Sequence, residues 1–220
     1  MVYFYQSQPD PSCAPHWVIV GADKFENDLL IKHSYRDLQY HWFHADKYSS
    51  AHIYLKLQGC EKSWEDVSRD VINDCLQLCK SQSIQGNKLP QCTIIHTPWH
   101  NLKKSGYMKP GEVSFKSTKS VKKLECYGRD NNVLNRLNKT RIELVDDTER
   151  LLHEAKKSKD GMFFVKYLNE NREKLIEDKN QRAIAKREAK KKKKGKNQEE
   201  EDSFYNSDSA TPVPNTTNTE

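Results

Sequence analysis

Through the first half of the chain, apolar and aromatic positions fall into short runs separated by turn-forming residues. Val2-Tyr3-Phe4-Tyr5 and Trp17-Val18-Ile19-Val20 read as strands. The first is followed by Gln8-Pro9-Asp10-Pro11-Ser12, and the second is ended by Gly21. Glu26 to His33 fits a short helix capped near Asn27 or Asp28. Tyr40 to Ala45 and Ala51 to Leu57 are two further strands. On the second, Ala51, Ile53, Leu55 and Leu57 alternate onto one face, while His52, Tyr54 and Lys56 take the other, expected to be partly solvated. Ser63, with Asp66 three residues on, starts a helical pattern that runs to about Ser81 through Val67, Val71, Ile72, Cys75, Leu76, Leu78 and Cys79. Gln85-Gly86-Asn87 stops it. Cys92 to Thr97 reads as a strand broken by Pro98, Gly106 to Gly111 as a turn, and Val113–Phe115 with Val121–Tyr127 as a closing hairpin.

Strands around one long helix predict an α+β domain over residues 1–128, a mixed sheet packed on one main helix. Beyond it the pattern changes. Leu137, Leu144 and Leu151 keep a seven-residue spacing, but the partner positions Arg141 and Thr148 are polar, so the heptad is incomplete. Gly161 interrupts, and a second helical piece runs from Met162 to about Lys194. Residues 129–195 therefore read as a charged helical, coiled-coil-like arm ending in a lysine-rich run, and 196–220 as a disordered acidic and Ser/Thr tail.

Composition supports this division. The chain has 220 residues, 35% of them hydrophobic and 31% charged, with a mean hydropathy of −0.96, too polar for one core to include all of it. A net charge of +6 admits nucleic acid, ribosome or acidic-surface partners without selecting among them. No apolar run is long enough for a membrane span, and the start lacks the pattern of a signal peptide. Six cysteines, at 13, 60, 75, 79, 92 and 126, lack framework spacing, so free thiols in a reducing, cytoplasmic compartment are expected. The run Lys186–Lys196 has eight basic residues in eleven. It reads as a phosphate tether, as a nuclear-import signal, which would add a nuclear location, or as a solvated helix end.

The densest chemistry lies in Trp42–Leu55, WFHADKYSSAHIYL. His44, Asp46 and His52, with Ser49 and Ser50, contain the residue types for general-base or nucleophilic work, although no nucleophile-elbow pattern is present. The same side chains suit contacts to phosphates or bases. A second cluster, Trp99 to Lys104 followed by Lys109-Pro110-Gly111, pairs lysines with an aromatic in the manner of nucleic-acid binding loops, or else is a solvated loop whose Trp99 is core. Cys75-x-x-x-Cys79 reads as core, and His96-x-x-x-His100 is split by Pro98. Neither makes a zinc-site spacing, so no metal or cofactor is implied.

GADKFENDLLIKH, WFHADKYSSAHIYL, SIQGNK, TPWHNLKKSG and MKPGEVSF, in that order, closely resemble the NFACT-R domain. Within it they resemble the short eukaryotic proteins called coiled-coil domain-containing protein twenty-five and their fungal relatives. The resemblance covers roughly residues 1–125. It implies an RNA-binding module and, by way of the larger NFACT proteins, work on ribosomal subunits carrying peptidyl-tRNA in ribosome-associated quality control. The positions carried over are Lys24, Asn27, His44, Asp46, Ser49, Ser50, His52, Lys103, Lys104, Lys109 and Gly111, to which the residue pattern adds Lys47 and Trp99. Where relatives carry Pro-Gly, this chain carries Ser49-Ser50. The expectation is a non-enzymatic protein binding tRNA, ribosomal RNA or ribosomal subunits in translation. The alternatives are a hydrolase or release factor on tRNA or peptidyl-tRNA using His44, Asp46 and His52, a general binder that includes DNA, and a scaffold whose helical arm takes a protein partner.

Overall fold

The computed structural model describes residues 1–145 and 147–207, with side chains through residue 191. Six of its nine described strands are β1 (Val2–Ser7), β2 (His16–Gly21), β3 (Tyr40–Ala45), β4 (Ile53–Lys56), β5 (Cys92–Pro98) and β8 (Lys122–Cys126). Together with β9 (Ile142–Leu144) they form a sheet ordered β8-β5-β3-β4-β2-β1-β9. The α+β class is as expected, and every pairing in this sheet is antiparallel.

Both faces of the sheet are buried. Phe4, Ile19, Trp42 and Tyr54 face one layer, formed by α1 (Lys24–Lys32), α4 (Thr148–Ser158) and the start of α5 (Phe163–Ser207). Val18, Phe43, Ile53, Leu55 and Ile94 face the other, formed by α2 (Arg69–Ser81) and α3 (Asn131–Thr140). A strand covered on both sides gains from apolar residues at every position, which is why β2 and β4 read as continuous apolar runs. Burial of a large side chain such as Phe43 contributes about 2–3 kcal/mol. The alternation expected on β4 is present, but His52, Tyr54 and Lys56 are buried rather than partly solvated. α1 and the loop after β5 cover that face, and Lys56 Nζ donates to the Leu38 carbonyl at 2.9 Å.

Local chemistry moves several boundaries. Asp23, with extended backbone, accepts hydrogen bonds from the amides of Phe25 and Glu26, so α1 begins at Lys24 rather than Glu26. The Ser63–Asp66 capping box forms, but it closes only a 3₁₀ turn (Trp64–Asp66), and Ser68 caps α2. The closing hairpin does not form. β7 (Ser114–Phe115) pairs with β6 (Leu102–Lys103), and β8 adds to β5 instead.

The compact unit runs Met1–Ile176, past the boundary expected at 128. The apolar residues after that point are few, yet Leu134, Leu137, Ile142, Leu144, Leu151, Leu152, Phe164, Leu168 and Leu175 are all buried. Leu137, Leu144 and Leu151 lie in α3, β9 and α4, so their seven-residue spacing is no coiled-coil seam. Gly161 is required by a close approach, since a Cβ there would stand 2.4 Å from the Asp37 carbonyl oxygen. The second unit, from Glu177, continues α5, and its basic side chains from Lys186 to Lys191 are exposed. Residues 196–207 of the expected tail are helical, and 208–220 lie outside the described residues.

Candidate nucleic-acid interface

Four segments far apart in sequence enclose a cleft of about 860 Å³. They are the β2–α1 turn, the β3–β4 connection, the stretch just after α2 and the loop that ends at Phe115. Trp42, itself 1% exposed, underlies the floor. His44 lies parallel on it, with ring centroids 5.5 Å apart and an interplanar angle of 5°. His52 meets both rings edge-on, at 5.3 Å from Trp42 and 4.9 Å from His44. Its Nδ1 lies 3.4 Å from the Tyr54 hydroxyl.

Burial pushes the His52 pKa down from 6.5 to about 3, helped by His44 and Lys104, with a backbone hydrogen bond at Gly111 acting in the opposite sense. His44 is also held below its usual value by burial, against the opposing effect of backbone hydrogen bonds at Ala45 and Ser50 and of Asp46. Both imidazoles are therefore neutral at pH 7. The floor is aromatic and uncharged, and His44 is its half-exposed part.

The loop over the cleft is tied to α1 by one carboxylate. Lys104 pairs with Asp28 at 2.8 Å and donates to the carbonyls of Lys109 at 2.6 Å and Glu112 at 3.0 Å. The Gly111 amide donates to the same Asp28 oxygen at 2.9 Å. Gly111 has φ +85°, and a Cβ there would stand 3.1 Å from Lys24 Cβ, so only glycine fits without strain. Asp28 was legible in the sequence only as a capping candidate. Its role as anchor depends on a contact across 76 residues that no local pattern encodes.

The predicted site residues divide. Lys24, Asn27, His44, Lys47, Ser49, Ser50, His52 and Gly111 line the cleft. Asn27 packs over Gly21, where a Cβ would stand 2.2 Å from its Oδ1. Ser50 closes the turn, accepting from the Ala45 amide at 3.0 Å and donating to the Ala51 carbonyl, while Lys47 adopts φ +66°. Ser49-Ser50 thus makes the connection without glycine. Lys103 and Lys109 are exposed and outside the lining, Lys109 standing in the chain between the lining residues Met108 and Pro110.

Three residues are placed differently from expectation. Asp46 does not join the two histidines. Its carboxylate takes Lys123 at 2.9 Å and its amide donates to the Thr93 carbonyl, outside the cleft lining. Trp99 is 1% exposed, packed edge-on against Tyr40 and against Tyr54, so it is core and no stacking surface. Lys104 is occupied within the fold. In their place Ile84, 81% exposed, lines the cleft, and Phe25, 61% exposed, and Tyr107, 86%, adjoin the lining residues Lys24 and Met108 in the chain. For Ile84 and Tyr107, an apolar side chain at a turn position is the signal that would have found them.

Every segment lining the cleft falls within residues 1–117, which match the family described as NFACT protein RNA binding domain. The chain belongs to that family. RNA binding is accordingly the activity of the matched region. Among curated relatives, Protein JLP2 of Saccharomyces cerevisiae is 61% identical over 191 residues, covering 87% of this chain and 92% of that one. Coiled-coil domain-containing protein 25 of Bos taurus is 42% identical over 150 residues, covering 68% and 70%. A solved structure, the C-terminal part of the fibronectin/fibrinogen-binding protein from Streptococcus suis, aligns with a TM-score of 0.48 at 19% identity, covering 61% of this chain and 48% of that one. The family resemblance carried by the five motifs is thus shown. Among the described residues no helix is long and apolar enough to cross a membrane, and no group of three or more His, Cys, Asp or Glu is arranged to hold a metal.

Proposed function

We propose that the cleft takes an unpaired segment of tRNA or ribosome-associated RNA, and that the protein acts in translation or ribosome-associated quality control in the cytoplasm. The observation that carries this reading is the convergence, inside the family-matched residues, of the neutral, half-exposed His44 ring, backed by the buried Trp42, with exposed Lys24 and Lys47 in the cleft lining and Lys109 beside it in the chain. An accessible imidazole face beside lysines suits single strands, whose bases can leave the stack and whose phosphates meet the lysines. A duplex presents its backbone rather than the faces of its bases. Neutral imidazoles add hydrogen-bonding edges without attracting every polyanion equally.

The test is the affinity of the full chain for tRNA and for large ribosomal subunits as a function of salt. Lys24→Ala, Lys47→Ala and Lys109→Ala combined should weaken binding and reduce the salt slope by about 0.7 for each phosphate that is no longer neutralised. His44→Ala should weaken binding and leave the slope alone. Unchanged affinity in both variants refutes the assignment to this cleft.

One observation favours a second reading, hydrolysis of a tRNA or peptidyl-tRNA bond. His44 is half-exposed and uncharged at pH 7, the state a general base requires. Asp46, turned toward Lys123, does not orient it. Single-turnover cleavage of labelled peptidyl-tRNA decides. Turnover that His44→Ala abolishes while binding persists supports this reading, and no turnover by wild type removes it.

A further inference from the structure

A second concavity, of about 480 Å³, lies at the other end of β3, where Tyr40 and His41 begin the strand. Arg36, Lys62 and Lys122 line it from three separate elements: the 3₁₀ turn before β3 (Arg36–Leu38), the segment entering the Trp64 turn, and β8. All three are exposed, and none enters an ion pair among the described residues. Three cations without an ion-pair partner, against one acid, Asp37, leave the hollow net positive.

The positive field registers on neighbouring groups. His100, on the pocket wall, has its pKa lowered first by burial and then by Arg36 and Lys116, and His96 behind it by burial and then by Lys122. The pocket also has an aromatic wall. The Ser63–Asp66 capping box fixes the turn that presents Trp64, whose indole packs edge-on against His96 at 4.3 Å and remains half-buried. One acid, Asp37, lines the pocket beside Arg36 and offers an acceptor to a sugar hydroxyl.

We infer that this pocket is a second nucleotide-binding site, taking the phosphate on Arg36, Lys62 and Lys122 and the base against Trp64. A guanidinium with two ammonium groups around one indole matches a nucleoside phosphate better than it matches an acidic peptide, which has no flat face to stack. The inference extends the RNA-binding reading and rests on it for the source of the nucleotide, an RNA segment continuing beyond the first cleft or a free nucleoside monophosphate.

The salt slope for a single-stranded uridine octamer decides the matter, using the full chain and the double variant Arg36→Ala/Lys62→Ala, whose side chains are on the surface. The slope should fall by about 1.4, or about 0.7 for each cation removed. An unchanged slope overturns the proposal. Crosslinking of a 4-thiouridine octamer to wild type then locates the bound strand, and the tryptic peptide 63–69, which contains Trp64, should carry an adduct. If excess uridine monophosphate removes that adduct, the pocket takes free nucleotide. If the adduct survives, the pocket follows an RNA strand. Adducts confined to peptides from residues 42–52 and 105–111 overturn the second site and leave the first standing. An adduct on 63–69 without any on those peptides does the reverse.

Discussion

His41 and His44 stand three residues apart on β3, point to opposite faces of the sheet, and each meets a second histidine. His41 Nε2 lies 3.0 Å from Nδ1 of His96. Phe43 and Trp64 close over that pair, and both histidines are buried. His44 instead stacks on Trp42, with His52 at its edge, and keeps part of its ring at the cleft. Burial depresses the pKa in both pairs, to about 3 for His41 and His52 and to about 4 for His96. What separates the pairs is the element that covers them. On the first face the Trp64 turn seals the rings. On the second the loop tied to Asp28 stops short of His44. One residue type on one strand is therefore a sealed structural group at one position and, at another, a partly exposed group to which the proposed function gives a recognition role.

Truncation should separate the pairs most clearly. His96→Ala removes the partner of His41 and opens a cavity beneath Trp64, and should cost about 3 kcal/mol in chemical denaturation. His44→Ala, next to an open cleft, should cost less than about 1 kcal/mol while weakening RNA binding. Equal destabilisation by the two would erase the contrast.

Acid should act mainly through the buried rings. A histidine whose pKa is lowered by folding leaves stability intact above its unfolded value near 6.5, and that stability drains away as pH falls toward the folded value. Stability should therefore decline between pH 6.5 and about 3, by up to about 1.4 kcal/mol per pH unit for each of His41, His52 and His96. His96→Gln, which keeps a polar group but cannot charge, should flatten the slope of thermal stability against pH. A slope unaltered by that exchange would place the acid sensitivity elsewhere.

The covering loop offers a subtler lever. Lys104→Ala frees the 104–112 loop from Asp28 and should lower stability by about 1–2 kcal/mol and weaken RNA binding, with the salt slope unchanged because this lysine meets protein rather than phosphate. A reduced slope would mean that Lys104 leaves Asp28 for the RNA. Gly111→Ala forces a Cβ into a left-handed position against Lys24 and should cost about 1 kcal/mol, with similarly weakened binding. Hydrogen exchange of the loop amides would show whether the two variants act alike.

Much of the first half was legible. Strong β-formers bounded by turn residues locate β1 to β5, and the helical period from Val67 to Cys79 locates α2, because both signals are local. The hairpin expected from Val113 and Val121 failed because pairing partners are chosen by which edge is open. β5 offered one to β8, and Leu102–Lys103 offered another to β7. The boundary at 128 failed because composition averages over a window, whereas burial depends on where each leucine lands. Among the site residues, the lysines and histidines that share the cleft were recognisable by type. The exclusion of Trp99 and Asp46 was not, since an indole between Tyr40 and Tyr54 and a carboxylate on Lys123 are contacts across tens of residues.

By itself, then, the order of residues determined the local elements, the α+β class and the family, through which RNA binding follows, together with a stock of lysines, aromatics and histidines. Only the tertiary structure decided which of those side chains share a cleft, which are sealed in the core, and that Asp28 holds the loop between the two conditions. The physical reason is range. Propensity, capping and periodicity act over a few residues, whereas burial, ion pairing and ring stacking depend on which distant segment comes to lie above a given position on the sheet.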